Sequence, residues 1–196
     1  MSREHAMKFC HQCGGNISHN IPANDNRPRH ICDDCGMIHY QNPNIVTGTI
    51  PVWEDKILLC KRAIEPRYGL WTLPAGFMEN GETTWQGAMR ETLEEANARV
   101  AIDDIYATVN LPHINQVYML FRARLLDLDF SAGEESLDVR LFSEAEIPWD
   151  SLAFPTVKET LKLFFDSRRD GQYPPRMLDI ERVDPAAPDI KVTLIR

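Results

Sequence analysis

The stretch Gly76-Phe-Met-Glu-Asn-Gly-Glu82-Thr-Thr-Trp-Gln-Gly-Ala-Met-Arg90-Glu91-Thr-Leu-Glu94-Glu95-Ala-Asn97-Ala98 decides how this chain is read. Thr83 to Ala96 reads as a helix. At about 100° per residue, Glu91, Glu94 and Glu95 fall on one side of it. Gly87 lies on that side one turn earlier and leaves it open. Trp85, Met89, Thr92 and Ala96 point toward another face, suited to packing on a sheet. Three carboxylates on one face repel, each close pair costing about 0.2–0.5 kcal/mol. A solvated acidic face is the plain alternative, but the upstream Leu73-Pro-Ala-Gly-Phe77 tells against it. That tight apolar turn delivers backbone carbonyls to the start of the helix. Carboxylates, a carbonyl and waters are the donors Mg²⁺ takes, with substrate phosphates completing the shell.

Working outward, Ile45–Trp53 and Lys56–Arg62 are β-branched and apolar and are split by Glu54-Asp55, a hairpin pattern. Residues 64–82 carry two Pro and three Gly and read as one long loop. Downstream, Val100–Ile105, Tyr106–Leu111, Gln116–Leu125 and Asp138–Phe142 read as strands. In Gln116–Leu125, Val117, Met119, Phe121, Ala123 and Leu125 share one face. Ser143 with Glu146 suits a capping box. Thr156–Arg169 reads as a second helix with Val157, Leu161, Phe164 and Phe165 as its apolar stripe. Residues 171–196 lack a long apolar period and read as a tail that orders only by packing on something else, such as a second copy of the chain. The opening Met1–Ala6 reads as unstructured. The segments group as a small module over 7–40, a main domain over 44–170 and the tail.

The module holds Cys10-His-Gln-Cys13-Gly14 and Cys32-Asp-Asp-Cys35-Gly36, two knuckles with 18 residues between them. Each pair of thiolates grips one face of a tetrahedral ion, and the following Gly permits the tight turn. Two disulfides are the alternative, disfavoured in a chain with no secretory signal. Four thiolates leave no open position, so this Zn²⁺ is structural. Cys60, among apolar neighbours, reads as a buried core thiol.

The 196 residues are 43% hydrophobic with a net charge of −8. That size suits one domain with a real core and a minor module. The acidic balance argues against broad nucleic-acid binding, and no apolar run is long enough to cross a membrane. The expected location is cytoplasmic.

The 76–98 segment resembles the signature of the Nudix hydrolase family, G-x5-E-x7-R-E-U-x-E-E-x-G-U with U apolar. Gly76, Glu82, Arg90, Glu91, Glu94 and Glu95 fall on its positions. Trp71-Thr-Leu-Pro-Ala-Gly-Phe-Met-Glu79 and the attached cysteine module are similar to a zinc-ribbon subgroup of FAD/ADP-ribose pyrophosphatase type, over about residues 7–170. Three positions depart from the pattern. Thr92 stands at an apolar position, where its methyl can still pack. Ala98 is small. Asn97 replaces the Gly that follows the helix, and Asn is the next most tolerated residue in a left-handed turn.

The resemblance implies an α/β/α sandwich with a mixed sheet. It implies Glu91, Glu94 and Glu95 as catalytic residues, with Glu91, Glu95, the Ala75 carbonyl and a distant Glu134 or Glu135 holding Mg²⁺ or Mn²⁺; of that pair, Glu135 is preferred. Glu82 and Arg90 would pair to hold the loop on the helix. Arg62 is a candidate phosphate contact, Tyr68, Trp71 and Phe77 candidate stacking surfaces, and His113 a candidate substrate contact or base. The implied reaction is metal-dependent hydrolysis of the diphosphate in a nucleoside diphosphate derivative by a homodimer. FAD, giving FMN and AMP, is the leading substrate, and ADP-ribose the second. The Ser-Gln-Pro-Trp-Pro-Phe-Pro-like element of NADH pyrophosphatases is absent; Asn110-Leu-Pro-His-Ile-Asn-Gln116 stands there. A non-catalytic nucleotide sensor and an RNA-processing hydrolase are the rival readings.

Overall fold

A computed structural model describes residues 7–184 and 189–196; the expectation for Met1–Ala6 lies outside them. The chain divides into two compact units, with the boundary in sequence between Pro43 and Asn44. The first is a three-stranded antiparallel sheet of β1 (Ile17–Asn20), β2 (Arg29–Cys32) and β3 (Ile38–His39), in that order. Gly14 and Gly36 close the two cysteine turns at φ 78° and 71°, where a side chain would be strained.

The second unit contains β4 (Asn44–Trp53), β5 (Lys56–Arg62), β6 (Trp71–Thr72), β7 (Ala75–Phe77), α1 (Thr84–Ala96), β8 (Val100–Leu111), β9 (Gln116–Leu125), β10 (Ser136–Phe142), α2 (Pro155–Asp170), β11 (Arg176–Arg182) and β12 (Ile190–Leu194). Its sheet runs β10-β5-β4-β9-β8-β11-β12, with β6 added to β5 and β7 to β4. The β4–β9 and β8–β11 pairs are parallel and the others antiparallel, so the sheet is mixed.

Strand β5 shows how the layers form. Ile57 and Leu59 enter one core with Leu161, Phe164 and Phe165 of α2; Leu58 and Cys60 enter the other with Ala96 of α1 and Ala123 of β9. Alternate residues point to opposite faces, so the helices cover opposite sides of the sheet. The core thiol Cys60 is fully buried.

Three expectations change. The long loop over 64–82 contains two short strands, and β7 docks on β4 through Val46–Phe77, Thr47–Gly76 and Gly48–Ala75. On α1, Trp85 faces solvent, while Gly87 and Ala88 take the buried side of the first turns. The tail orders on its own domain: β11 lies parallel to β8 with Leu178 and Ile180 buried, and β12 pairs antiparallel with β11. Leu178 and Ile180 fill the alternate positions of a half-buried strand, a period too short to register as an apolar run. No helix of the described residues is long and apolar enough to cross a membrane.

Candidate active site

Helix α1 is locked at both ends. Thr83 accepts from the Gln86 amide, and the Gln86 side chain accepts from the Thr83 amide at 2.9 Å, the reciprocal bonds of a capping box. At the far end Asn97 takes φ 48°, ψ 23° and donates its amide to Leu93 O. The buried face carries Gly87, Ala88, Thr92 and Ala96. Thr92 Oγ1 donates to Ala88 O at 2.7 Å and lies 2.7 Å from Thr49 Oγ1 on β4. Thr92 has one hydroxyl proton, so Thr49 donates in that pair. Thr47 Oγ1 likewise donates to Thr84 O at 2.5 Å. Gly87 is not an opening: a Cβ there would stand 2.5 Å from Glu82 Oε1 and 2.7 Å from Thr47 Cγ2.

This close seating sets α1 against β7. A Cβ on Gly76 would overlap the Glu91 carboxylate, 2.5 Å from Oε1, so the signature glycine leaves the space the carboxylate occupies. Glu95 is only 6% exposed and is approached by the Ala75 amide.

Arg90 organises the acidic cluster. Its Nε donates to Glu82 Oε2 at 3.1 Å and its Nη2 to Glu82 Oε1 at 2.8 Å; Nη2 also reaches the Phe77 carbonyl at 3.2 Å. Its Nη1 reaches Glu91 at 2.7 Å and Glu94 at 3.0 Å. The bidentate pair ties the loop after β7 to the helix. Beside Arg90, the Glu82 carboxyl falls from its ordinary 4.5 to about 2, helped by the Glu79 amide.

The other carboxylates are pushed the opposite way. Burial, then the charge of Glu91, lifts the Glu95 carboxyl to about 8; Glu135 adds to the lift, while Arg62 and the Ala75 amide oppose it. Burial also raises Glu91 against its bond to Arg90, with Glu94 and Glu135 contributing. Carboxylates that hinder one another's ionisation mark a site short of positive charge, which a divalent cation would supply. Of the two candidates in the distant loop, Glu135 is the one whose charge raises both glutamates.

Arg62 stacks over Phe154 at 5.2 Å and donates Nε to Pro66 O at 2.9 Å; its charge opposes the burial that raises both Glu95 and Tyr118. Tyr118, on the strand face left outside the apolar set, packs against the core that α2 covers. Phe77 and Tyr68 are exposed. Trp71 is not a stacking surface: it is buried edge-on to Phe142, 4.9 Å between ring centres. Among the described residues, neither Tyr68 nor His113 bonds to the glutamates. His113 sits in the turn from β8 to β9, with Nδ1 shielded and unpartnered.

In the first unit, Cys10 Sγ and Cys35 Sγ are 3.8 Å apart, and Cys13 Sγ and Cys32 Sγ 3.4 Å. A tetrahedral zinc with bonds of about 2.3 Å spaces its sulfurs by roughly 3.8 Å. The Gln12 amide points at Cys10 Sγ and the Cys35 amide at Cys32 Sγ, each at 3.4 Å. With the Cys35 amide as the main cause, the Cys32 thiol falls to about 7. All four sulfurs lie within 4.8 Å of one another, and no second such group occurs among the described residues. The glutamates stand farther apart, with Arg90 holding Glu91 and Glu94.

A mixed sheet between two helices, a glutamate-bearing loop–helix–loop and a four-cysteine ribbon together define a Nudix-type scaffold. Residues 43–164 match the NUDIX domain and residues 8–41 the Nudix N-terminal zinc ribbon, so the chain belongs to the Nudix hydrolase family in its zinc-ribbon form. A crystal structure of a NUDIX hydrolase from Nitrosomonas europaea is similar, at 60% identity and TM-score 0.88, over 90% of this chain and all of that one. An ADP-ribose pyrophosphatase from Streptococcus suis is 25% identical at TM-score 0.55, over 69% of this chain and 99% of that one. Among curated proteins, the NAD-capped RNA hydrolase NudC of Vibrio atlanticus is 32% identical over 72% of this chain and 49% of its own length. The chain thus spans about half the length of such relatives.

Proposed function

We propose that this chain hydrolyses the diphosphate linkage of a nucleoside diphosphate derivative, with FAD or ADP-ribose as substrate. The observation that carries the reading is the mutual repulsion of Glu91, Glu95 and Glu135, from two separate segments, with Glu91 seated on Gly76, Glu95 buried beside the Ala75 amide and Arg62 as the opposing cation. Glu91, Glu95, Glu135 and the Ala75 main chain would hold Mg²⁺ or Mn²⁺. Bound there, the ions would neutralise the diphosphate and acidify the attacking water.

The chain's own residues supply the rest. Glu94, 58% exposed at its side chain, would take a proton from the attacking water. Arg62 offers a guanidinium to a phosphate oxygen next to Glu95. Phe77, exposed and with its carbonyl on Arg90, would offer a ring for a flat group to stack on. Glu82 and Arg90 hold the loop in place. The similarity to an ADP-ribose pyrophosphatase supports a free dinucleotide-like substrate. The NudC relatives support a second reading, NAD-capped RNA.

The test is a hydrolysis screen with Mg²⁺ against FAD, ADP-ribose, NADH, NAD and NAD-capped RNA, with Glu95→Gln as the blank. Release of AMP from FAD or ADP-ribose, lost in the variant, is expected. Preference for capped RNA would move the assignment to the second reading. Tight nucleotide binding without turnover of any substrate would make the chain a sensor.

A further inference from the structure

The helix that carries Glu91 and Glu95 and the loop that carries Glu135 are joined by a contact the family signature does not provide. At the end of α1, the Ser131 amide donates to Ala96 O at 2.9 Å and the Gly133 amide to Glu95 O at 3.0 Å. Gly133 sits so close that a Cβ would overlap the Glu94 carbonyl oxygen. Asn97 closes the joint: its Nδ2 faces Ser131 Oγ at 3.1 Å and the carbonyls of Ser131 and Ala132 at 3.3 Å each. The loop then turns with the Ser136 amide on Gly133 O at 3.1 Å and the Glu135 carbonyl on the Ala63 amide at 2.8 Å, next to Arg62.

A glycine at position 97 would give the left-handed turn but no side-chain amide. We infer that Asn97 is a positioning residue, whose side chain docks the 131–133 loop on the end of α1 and so fixes Glu135 opposite Glu91 and Glu95. The inference rests on the proposed metal site. It gives a physical reason for the departure from the signature: Asn is the common residue that both reaches φ 48° and supplies a donor to a neighbouring loop.

The test uses zinc-loaded protein free of other divalent ions, titrated with Mn²⁺ and followed by electron paramagnetic resonance of the free ion. Hydrogen exchange of residues 131–135 is measured on the same samples. Asn97→Gly removes the amide without backbone strain. It should weaken Mn²⁺ binding about tenfold, speed exchange at Ser131 and Gly133, and hold the melting temperature within a few degrees. Asn97→Asp, which turns an acceptor toward the same carbonyls, should weaken binding at least as much. Glu135→Gln should weaken it also, and the double variant Asn97→Gly/Glu135→Gln should be no worse than Glu135→Gln alone, because the two act through one contact. Wild-type affinity in Asn97→Gly, weaker binding without faster exchange, or a double loss equal to the product of the single losses would overturn the positioning role and leave the metal site standing. A wild-type protein that binds no Mn²⁺ would overturn the metal site and the positioning role with it.

Discussion

Helix α2 meets the sheet with Val157, Leu161, Phe164 and Phe165, all buried, and Phe164 packs edge-on against Tyr106 and Phe165. Helix α1 meets the other face with Gly87, Ala88, Thr92 and Ala96, and buries Glu95 as well. Each large apolar side chain of α2 contributes about 1.5–3 kcal/mol by leaving water. The small residues of α1 contribute far less, and an ionised Glu95 beside Glu91 works against folding. What the small face gives instead is proximity: it lets the backbone of α1 approach β4 and β7 until Glu91 lies on Gly76. One sheet thus carries a helix that holds the fold together and a helix that the fold holds in place.

The largest test of that contrast is Glu95→Gln. Turnover on the substrate chosen by the screen should fall by more than about a hundredfold, beyond the usual loss from a supporting partner, while the melting temperature holds or rises. The sign follows from the pKa. Glu95 is raised from 4.5 to about 8 in the folded chain, so the unfolded chain ionises first, and metal-free wild type loses stability as pH climbs from 4.5 toward 8. The Gln variant escapes that loss, and the two melting curves should separate over this window. A Gln variant that melts well below wild type at pH 7 would make Glu95 a structural residue and break the contrast. From the other side, Phe164→Ala should cost about 3–5 kcal/mol in urea denaturation and leave Mg²⁺-saturated turnover of the folded fraction within a few-fold of wild type. A loss of turnover as large as that of Glu95→Gln would show that α2 shapes the site.

Local signals made α1 readable. The glutamate spacing and the helix stop at Asn97 place its ends within a residue of those seen, because helix faces and turns depend on residues a few positions apart. The cysteine turns were readable for the same reason. The tail was not: the partner of β11 is β8, far away in sequence, and a seven-residue strand with a parallel partner leaves no local trace. The burial of Trp71 and the contacts of the Asn97 side chain also depend on partners from distant segments.

Thr92 sharpens the contrast on a smaller scale. Its sequence position asks for an apolar residue, and the reading that its methyl merely packs misses the hydroxyl bridge to Thr49. Thr92→Val would leave the Thr49 hydroxyl buried without its acceptor, at a cost of about 1–3 kcal/mol. Thr49→Val/Thr92→Val removes both partners and should recover most of it. If the single variant is neutral in urea denaturation, α1 is seated by shape alone and the bridge contributes nothing.

The smallest effect belongs to the ion pair that holds the loop on the same helix. Glu82 is lowered from 4.5 to about 2 by Arg90, so its contribution is fully present above the ordinary carboxylate range and disappears as pH falls through about 2. Glu82→Gln should therefore melt slightly below wild type at pH 6, with the gap closing between pH 4.5 and pH 2. Because Arg90 also holds Glu91 and Glu94, its freed guanidinium should turn more fully toward them, and turnover should fall more than stability does. A gap that stays constant down to pH 2 would mean that the pair is broken in solution, and that the capping box and the hydroxyl bridge seat α1 without it.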